Sequence, residues 1–273
     1  MTVTFRYHEP MLEKSLYWNG NVAKFEIANE IESIAKATER ELVVVDLGAG
    51  RGGDWDLLAK ECPNLRICLW EPHGPTSKYL ESRFKGSGIE IHRDLNALQG
   101  IADIGTSLSV LEHVEKKMSH FQLVSQVLKK NGIFFMNFDD GHFRYSSPNV
   151  FSMKEYRLPL AEAWRTTLSG FSKRFIPTNQ FQKKVLLDEF LRCVNESELE
   201  LISMRFRHLA EIKDVSKAVV ESDGQLKFMN DWLNFELSAE GLIHESYGEH
   251  GIEKCWDIFA TRTAVFKKAG IDT

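Results

Sequence analysis

The stretch that most constrains this chain is Glu41-Leu-Val-Val-Val-Asp46-Leu47-Gly48-Ala49-Gly50-Arg51-Gly52-Gly53. Its first half is a short, β-branched, nearly continuous apolar run, the pattern of a strand covered on both faces. Its second half is dominated by glycine, which lets a backbone turn sharply and approach a ligand at the positive end of the helix that follows. A doubly covered strand that feeds such a loop belongs in an α/β sheet with helices on both sides.

The neighbouring residues keep that rhythm. Glu13 to Arg40 reads as helical, with Val22, Phe25, Ile27, Ile31, Ile34 and Ala35 at near-helical spacing. Trp55 to Glu61 reads as a helix stopped by Pro63, and Arg66 to Glu71 as a second strand stopped by Pro72. A helix over Thr76–Phe84, a strand over Gly88–His92 and a strand over Ala102–Val110 follow. Lys116 to Lys130 reads as a helix closed by Asn131-Gly132, and Ile133 to Phe138 as a fifth strand. Strands alternating with helices in this way predict βαβ units and a parallel sheet.

After Phe138 the alternation stops. Residues 139–181 are rich in aromatics, and Lys183 to Val194 reads as a helix. Leu199 to Phe206 and Trp256 to Lys267 read as two last strands, separated by a mostly helical excursion over 211–250. The expected fold is therefore one α/β domain over 1–273, with a Rossmann-like, seven-stranded, mostly parallel sheet flanked by helices. A helical lead-in occupies 1–40 and a ligand-binding core 41–138. Insertions at 139–181 and 211–250 are expected to cover substrate, the second being removable without loss of the core. Tyr17, Trp18 and the aromatics of 143–181 are candidate pocket walls.

Thirty-four basic against thirty-nine acidic residues give a net charge of −5. That sign disfavours a protein that grips nucleic acid through phosphates. No apolar run approaches the roughly 18 residues of a membrane span, and the first residues lack the apolar core of a secretory signal. Cys62, Cys68, Cys193 and Cys255 are scattered with no CxxC pair. This spacing fits a reducing, cytoplasmic setting and predicts neither a disulfide framework nor a metal site.

Gly48-x-Gly50-x-x-Gly53 matches the dinucleotide fingerprint, and Glu71 stands where that fingerprint has its acid. The glycines alone do not choose between a nicotinamide cofactor and another adenosine-bearing one. Asp46 separates them. A carboxylate at the end of the first strand repels a pyrophosphate and welcomes a sulfonium cofactor with its ammonium group.

Val45-Asp-Leu-Gly-Ala-Gly-Arg-Gly52 resembles the first motif of class I S-adenosylmethionine-dependent methyltransferases, D/E-x-G-x-G-x-G. Four further segments resemble that family in order: Leu69-Trp-Glu71-Pro72, Ile91-His-Arg-Asp94-Leu95, Ser107-Leu-Ser109-Val-Leu-Glu112-His113-Val114 and Val127-Leu-Lys-Lys-Asn-Gly-Ile133. The third of these, with its LEHV run, is of the type found in small-molecule members. The resemblance covers about residues 40–140. It implies S-adenosylmethionine as cofactor, held by Asp46, Gly48, Ala49, Gly50, Glu71, Pro72, Asp94, Leu95 and Ser109. In that pattern Glu71 accepts hydrogen bonds from the ribose hydroxyls, Asp94 meets the adenine amine and Leu95 lies beside the ring. Some ubiquinone-biosynthesis O-methyltransferases have a metal-associated E-x-x-E-H; here Ser109 takes its first position.

Two histidines are candidate bases. His142 follows the fifth strand in Asn137-Phe-Asp139-Asp140-Gly141-His142, and Asp139 or Asp140 is placed to orient it. His113 follows the fourth strand. The expected reaction is methyl transfer to a small metabolite, at oxygen. The alternatives are an RNA or cap N-methyltransferase, suggested by Gly52-Gly53-Asp54, an NAD-dependent oxidoreductase and a non-catalytic partner subunit of the same fold.

Overall fold

The computed structural model describes residues 22–53, 55–139, 184–209 and 225–269. The expected residues Tyr17, Trp18, Asp140, His142 and the aromatics of 143–181 lie outside them, as do 211–224. Helix α1 (Val22–Lys36) precedes strand β1 (Leu42–Leu47), whose six residues are all buried. Then come α2 (Trp55–Glu61), β2 (Leu65–Trp70), α3 (Gly74–Arg83), β3 (Glu90–His92) and β4 (Ala102–Leu108). Helix α4 (Lys117–Val127), β5 (Leu128–Asp139), α5 (Leu187–Asn195), β6 (Leu199–Leu209), α6 (Gln225–Tyr247), α7 (Gly251–Ile258) and β7 (Phe259–Lys268) complete the order.

The seven strands form one sheet in the order β3-β2-β1-β4-β5-β7-β6. β1, β2, β3, β4 and β5 pair in parallel, and β7 runs antiparallel to both β5 and β6. The mostly parallel seven-stranded sheet expected from the sequence is thus present. Alternate residues of each strand feed two apolar layers. One holds Ile27, Ile31 and Ala35 of α1, Trp55 and Leu58 of α2 and Leu80 and Phe84 around α3. The other is aromatic: Phe190 lies 5.3–6.1 Å, ring to ring, from Trp256, Phe138, Phe121 and Phe266.

Several boundaries differ from the sequence expectation: β4 ends at Leu108 and not Val110, α5 begins at Leu187 and not Lys183, β6 runs to Leu209, and two more shift for reasons visible in the packing. Helix α4 closes at Val127, so Asn131-Gly132 is no helix cap and lies in an irregular start of β5. Leu128 already pairs with Ala102, the register then shifts, and Asn131 sits at φ 65°. A Cβ on Gly132 would come within 2.9 Å of the Ala102 carbonyl oxygen. The last strand begins at Phe259, because Gly251, Cys255 and Trp256 form the buried face of α7. Trp256 donates its indole N–H to the Val185 carbonyl from that helix.

The excursion between β6 and β7 is helical where described, but it is built into the core. Ala239 and Ile243 of α6 pack against the aromatic layer, and Glu240 accepts from Arg207 of β6. Loss of α6 would uncover that apolar contact and leave Arg207 to Glu26 alone. Among the described residues no helix is long and apolar enough to cross a membrane.

Candidate active site

β1 has β2 on one side and β4 on the other, so the chain order reverses there and the strand ends open a crevice. The loop after β1 enters it. Gly48 and Ala49 both donate their N–H groups to the Trp70 carbonyl, at 2.9 and 3.1 Å, which ties the loop to the end of β2. Gly48 has φ 77°, and a Cβ there would strike Val110 at 2.9 Å, so the loop after β4 closes directly on it. Gly52 at φ 84° would place a Cβ 2.4 Å from Phe84. Gly50 at φ 57° differs: a Cβ there would meet nothing nearer than the Gly48 oxygen at 4.0 Å. Glycine is demanded at 48 and 52 by neighbours, and at 50 by a turn whose outer side is open. Arg83 fastens the far end of the loop by donating to the carbonyls of Arg51 and Gly53.

Two buried carboxylates flank this loop. Glu71, 8% exposed, accepts from the backbone N–H of Gly50 at 3.0 Å and of His73 at 2.9 Å. Each oxygen keeps lone-pair capacity for a further donor. Asp46, 3% exposed, accepts from the Thr106 hydroxyl at 2.8 Å and the Trp55 indole N–H at 2.9 Å. Burial pushes its pKa up to about 6; the Thr106 and Trp55 hydrogen bonds and the charge of Lys24 pull the other way, and the Glu71 carboxylate adds to the rise. Asp46 makes no partner of Arg51.

The remaining expected residues line the same edge. Pro72 is exposed and turns the chain into α3. Asp94 is exposed, and both its oxygens accept from Asn96, one from the backbone and one from the side chain. Leu95 is half-buried against the aromatic layer. Ser109 takes φ 60° and donates its backbone N–H to the Asn137 carbonyl at 2.8 Å. The left-handed turn at Ser109 re-aims the chain from β4 into a 3-10 turn, Leu111–His113, which carries buried Glu112 and half-buried His113. Asp139 closes β5, buried. The folded chain therefore brings Asp46, Gly48, Ala49, Gly50, Glu71, Pro72, Asp94, Leu95, Ser109 and His113 to one sheet edge. Asp140 and His142 lie outside the described residues.

Sequence reasoning missed four supporting groups. Thr106 and Trp55 fix the Asp46 carboxylate; the signal was a hydroxyl inside a buried strand and an indole nine residues beyond Asp46. Lys117, buried, donates to the carbonyls of Leu111 and Val114 at 2.6 and 2.7 Å and so braces the turn that carries Glu112 and His113. Lys24 of α1 is also buried on this side. Desolvation holds it below the ordinary lysine range, while the charges of Glu112 and Asp46 pull it up.

Asp46 makes stability depend on pH. Its folded pKa lies above the ordinary 3.8, so the folded state holds the proton more tightly than the unfolded chain. Its contribution is greatest when protonated and falls as pH rises from about 4 to about 6, by about 3 kcal/mol at full ionisation. Asp46→Asn is expected to flatten this part of the stability profile. Urea titrations across that window check it; an unchanged slope means that Asp46 ionises freely in the fold.

Residues 45–136 match a family model described as a methyltransferase domain. The chain is similar in fold to a putative sarcosine dimethylglycine methyltransferase from Galdieria sulphuraria, with 15% identity, 98% of this chain and 94% of that one covered and a TM-score of 0.55. It is similar also to geranyl diphosphate C-methyltransferase from Streptomyces coelicolor A3(2), crystallised with S-adenosyl-L-homocysteine, with 12% identity, 98% and 87% covered and a TM-score of 0.52. A carbon methyltransferase, CurJ, matches at 10% identity and a TM-score of 0.52, covering 94% of this chain and 57% of that one. No curated protein sequence matches the chain. At such identities the structural likeness is one of fold.

Proposed function

We propose, from the premise that this chain is a class I S-adenosylmethionine-dependent methyltransferase, that it methylates a hydroxyl oxygen of a small metabolite. The observation that carries the reading is the pair of buried carboxylates, Glu71 and Asp46, on either side of the open turn at Gly50. Acceptors in these places suit a ligand that brings hydroxyls and positive charge, and they oppose a pyrophosphate. Asp46 argues against an NAD-dependent oxidoreductase, whose pyrophosphate its carboxylate would repel.

S-adenosylmethionine supplies, when bound, a methyl group activated on a sulfonium. The protein's work is to bind, orient and exclude water, and positioning of this kind accounts for roughly 7–11 kcal/mol of a barrier. Glu71 is held ready by two backbone amides to take the ribose hydroxyls. Asp46, fixed by Thr106 and Trp55, sets the negative field of the cleft. Asp94 and Leu95 are assigned to the adenine, and Ser109 to the turn that frames the opposite wall. His142 is assigned as the base that draws the proton from the acceptor hydroxyl, with Asp140 orienting it and His113 as the alternative. The small-molecule acceptor is supported by the net charge of −5, which disfavours RNA, and by the names of proteins of similar fold, a putative sarcosine dimethylglycine methyltransferase and a geranyl diphosphate C-methyltransferase. Four free, buried thiols are in keeping with a reducing, cytoplasmic setting.

Thermal-shift titration tests the cofactor. S-adenosylmethionine and its demethylated product are expected to raise the melting temperature and NAD to leave it unchanged, because only a ligand of the native state stabilises it; the reverse order refutes the reading. Glu71→Ala is expected to weaken S-adenosylmethionine binding by about 1–3 kcal/mol, the scale of lost charge-assisted hydrogen bonds. Calorimetry that finds unchanged affinity removes Glu71 from the site.

A further inference from the structure

At the far edge of the sheet, three donors of different kinds meet. β3 pairs with β2 so that Glu90 lies opposite Cys68, and His92, two residues on, projects from the same face. The Cys68 Sγ is 3.8 Å from Glu90 Oε2, and His92 Nε2 is 3.2 Å from that same oxygen. All three ligand atoms lie within 4.8 Å of one another.

These separations can be compared with a coordination shell. Zinc-type bonds of about 2.3 Å to sulfur and about 2.0–2.1 Å to nitrogen and oxygen, set tetrahedrally, put neighbouring ligand atoms about 3.3–3.6 Å apart. The observed spacings bracket that value, so an ion needs no strand movement to reach all three. Cys68 is wholly buried, while Glu90 and His92 are half-exposed and leave an approach from solvent. The Glu90 carboxylate is already fixed: Arg66 donates through Nε to Oε1 at 2.6 Å and through Nη2 to Oε2 at 3.0 Å. Its pKa is lowered, first by the Arg66 hydrogen bond, so the carboxylate is ionised at neutral pH. The Arg66 Nε contact to Oε1, the oxygen that neither Cys68 nor His92 touches, is the kind of contact that orients metal ligands.

We infer that Cys68, Glu90 and His92 form a binding site for a borderline divalent transition metal of the zinc type, with a fourth position open to water. Thiolate and imidazole together select such an ion over magnesium or calcium, which prefer oxygen alone. Burial and the neighbouring Glu90 carboxylate push the Cys68 thiol up to about 12, so the free protein carries it protonated. Binding forms a metal–sulfur bond, breaks the S–H bond and releases that proton to solvent. The Arg66 Nη2 contact to Oε2 loosens as the ion takes that oxygen, and the Nε contact to Oε1 keeps the carboxylate in place. The site does not depend on the methyltransferase reading.

The test is a cobalt(II) titration of the full-length, reduced, cofactor-free protein. The expected result is a saturable thiolate-to-cobalt charge-transfer band, with proton release and displacement by zinc. Cys68→Ser is expected to abolish the band although Cys62, Cys193 and Cys255 remain. His92→Ala, at a half-exposed position, is expected to keep its metal-free melting temperature and to lose more than about tenfold in cobalt affinity. Absence of the band in the parent protein, its persistence in Cys68→Ser, or unchanged cobalt affinity in His92→Ala would each overturn the inference.

Discussion

Arg207→Ala is expected to lower the free energy of unfolding by about 3–5 kcal/mol, the cost of leaving a buried charge without its partner. Arg207 is 2% exposed. It donates through Nε and Nη2 to both oxygens of Glu26, at 2.9 and 2.7 Å, and through Nη1 to Glu240 at 2.7 Å. Burial alone disfavours its charge, and the two carboxylates more than offset this and raise its pKa. One side chain thus ties α1, β6 and α6 together. A second rung lies beside it, where Arg205 binds Glu30. The spacing is commensurate: four residues of helix rise about 6 Å, and two residues of strand about 6.6 Å. Urea unfolding checks the value. A loss below about 1 kcal/mol, the scale of an exposed pair, would show that water reaches the carboxylates. The combined change Arg207→Met, Glu26→Gln and Glu240→Gln is expected to restore most of the stability, because no unpaired charge then remains buried.

His142→Ala is expected to lower turnover by about 10²–10⁴-fold, the usual worth of general-base assistance. S-adenosylmethionine affinity should be nearly unchanged, since the residue is assigned to the acceptor. The acidic limb of the pH–rate profile should vanish with it: a base works only when deprotonated, so the rate of the parent enzyme falls as pH drops through the histidine pKa. His113 is the control, on a turn that Lys117 braces from below. A flattened profile in His113→Ala with an unaltered one in His142→Ala moves the role to His113. Unaltered profiles in both point to an amine or carbanion acceptor that needs no histidine base.

Much of the molecule was legible in the chain because its signals are local. The run Val43-Val-Val45 is apolar on both faces of a strand, and the glycines that follow demand a turn; neither needs a distant partner to be recognised. The order of strands and helices through Phe138 and the positions of Asp46 and Glu71 at strand ends came from such patterns, whereas the turn at Ser109, inside the expected fourth strand, did not. Two of the boundaries shifted where a tertiary contact outweighed a local cue. Asn131-Gly132 has the composition of a helix cap, yet Leu128 is already committed to Ala102. Trp256 sits in an apolar run, yet its place on α7 fills the space between Phe138 and Phe190.

What the sequence alone determined was the kind of sheet, the glycine loop and the identity of the acids at its rim, since these depend on residue type and spacing along the chain. What only the tertiary structure decided was how those acids are held and what surrounds them. Thr106 lies 60 residues from Asp46, Arg207 181 from Glu26, and Glu90 22 from Cys68. Such partners meet because strand register and helix packing bring them together. A side chain's burial, its pKa and its capacity to bind a ligand are properties of that meeting, and no local pattern in the chain encodes them.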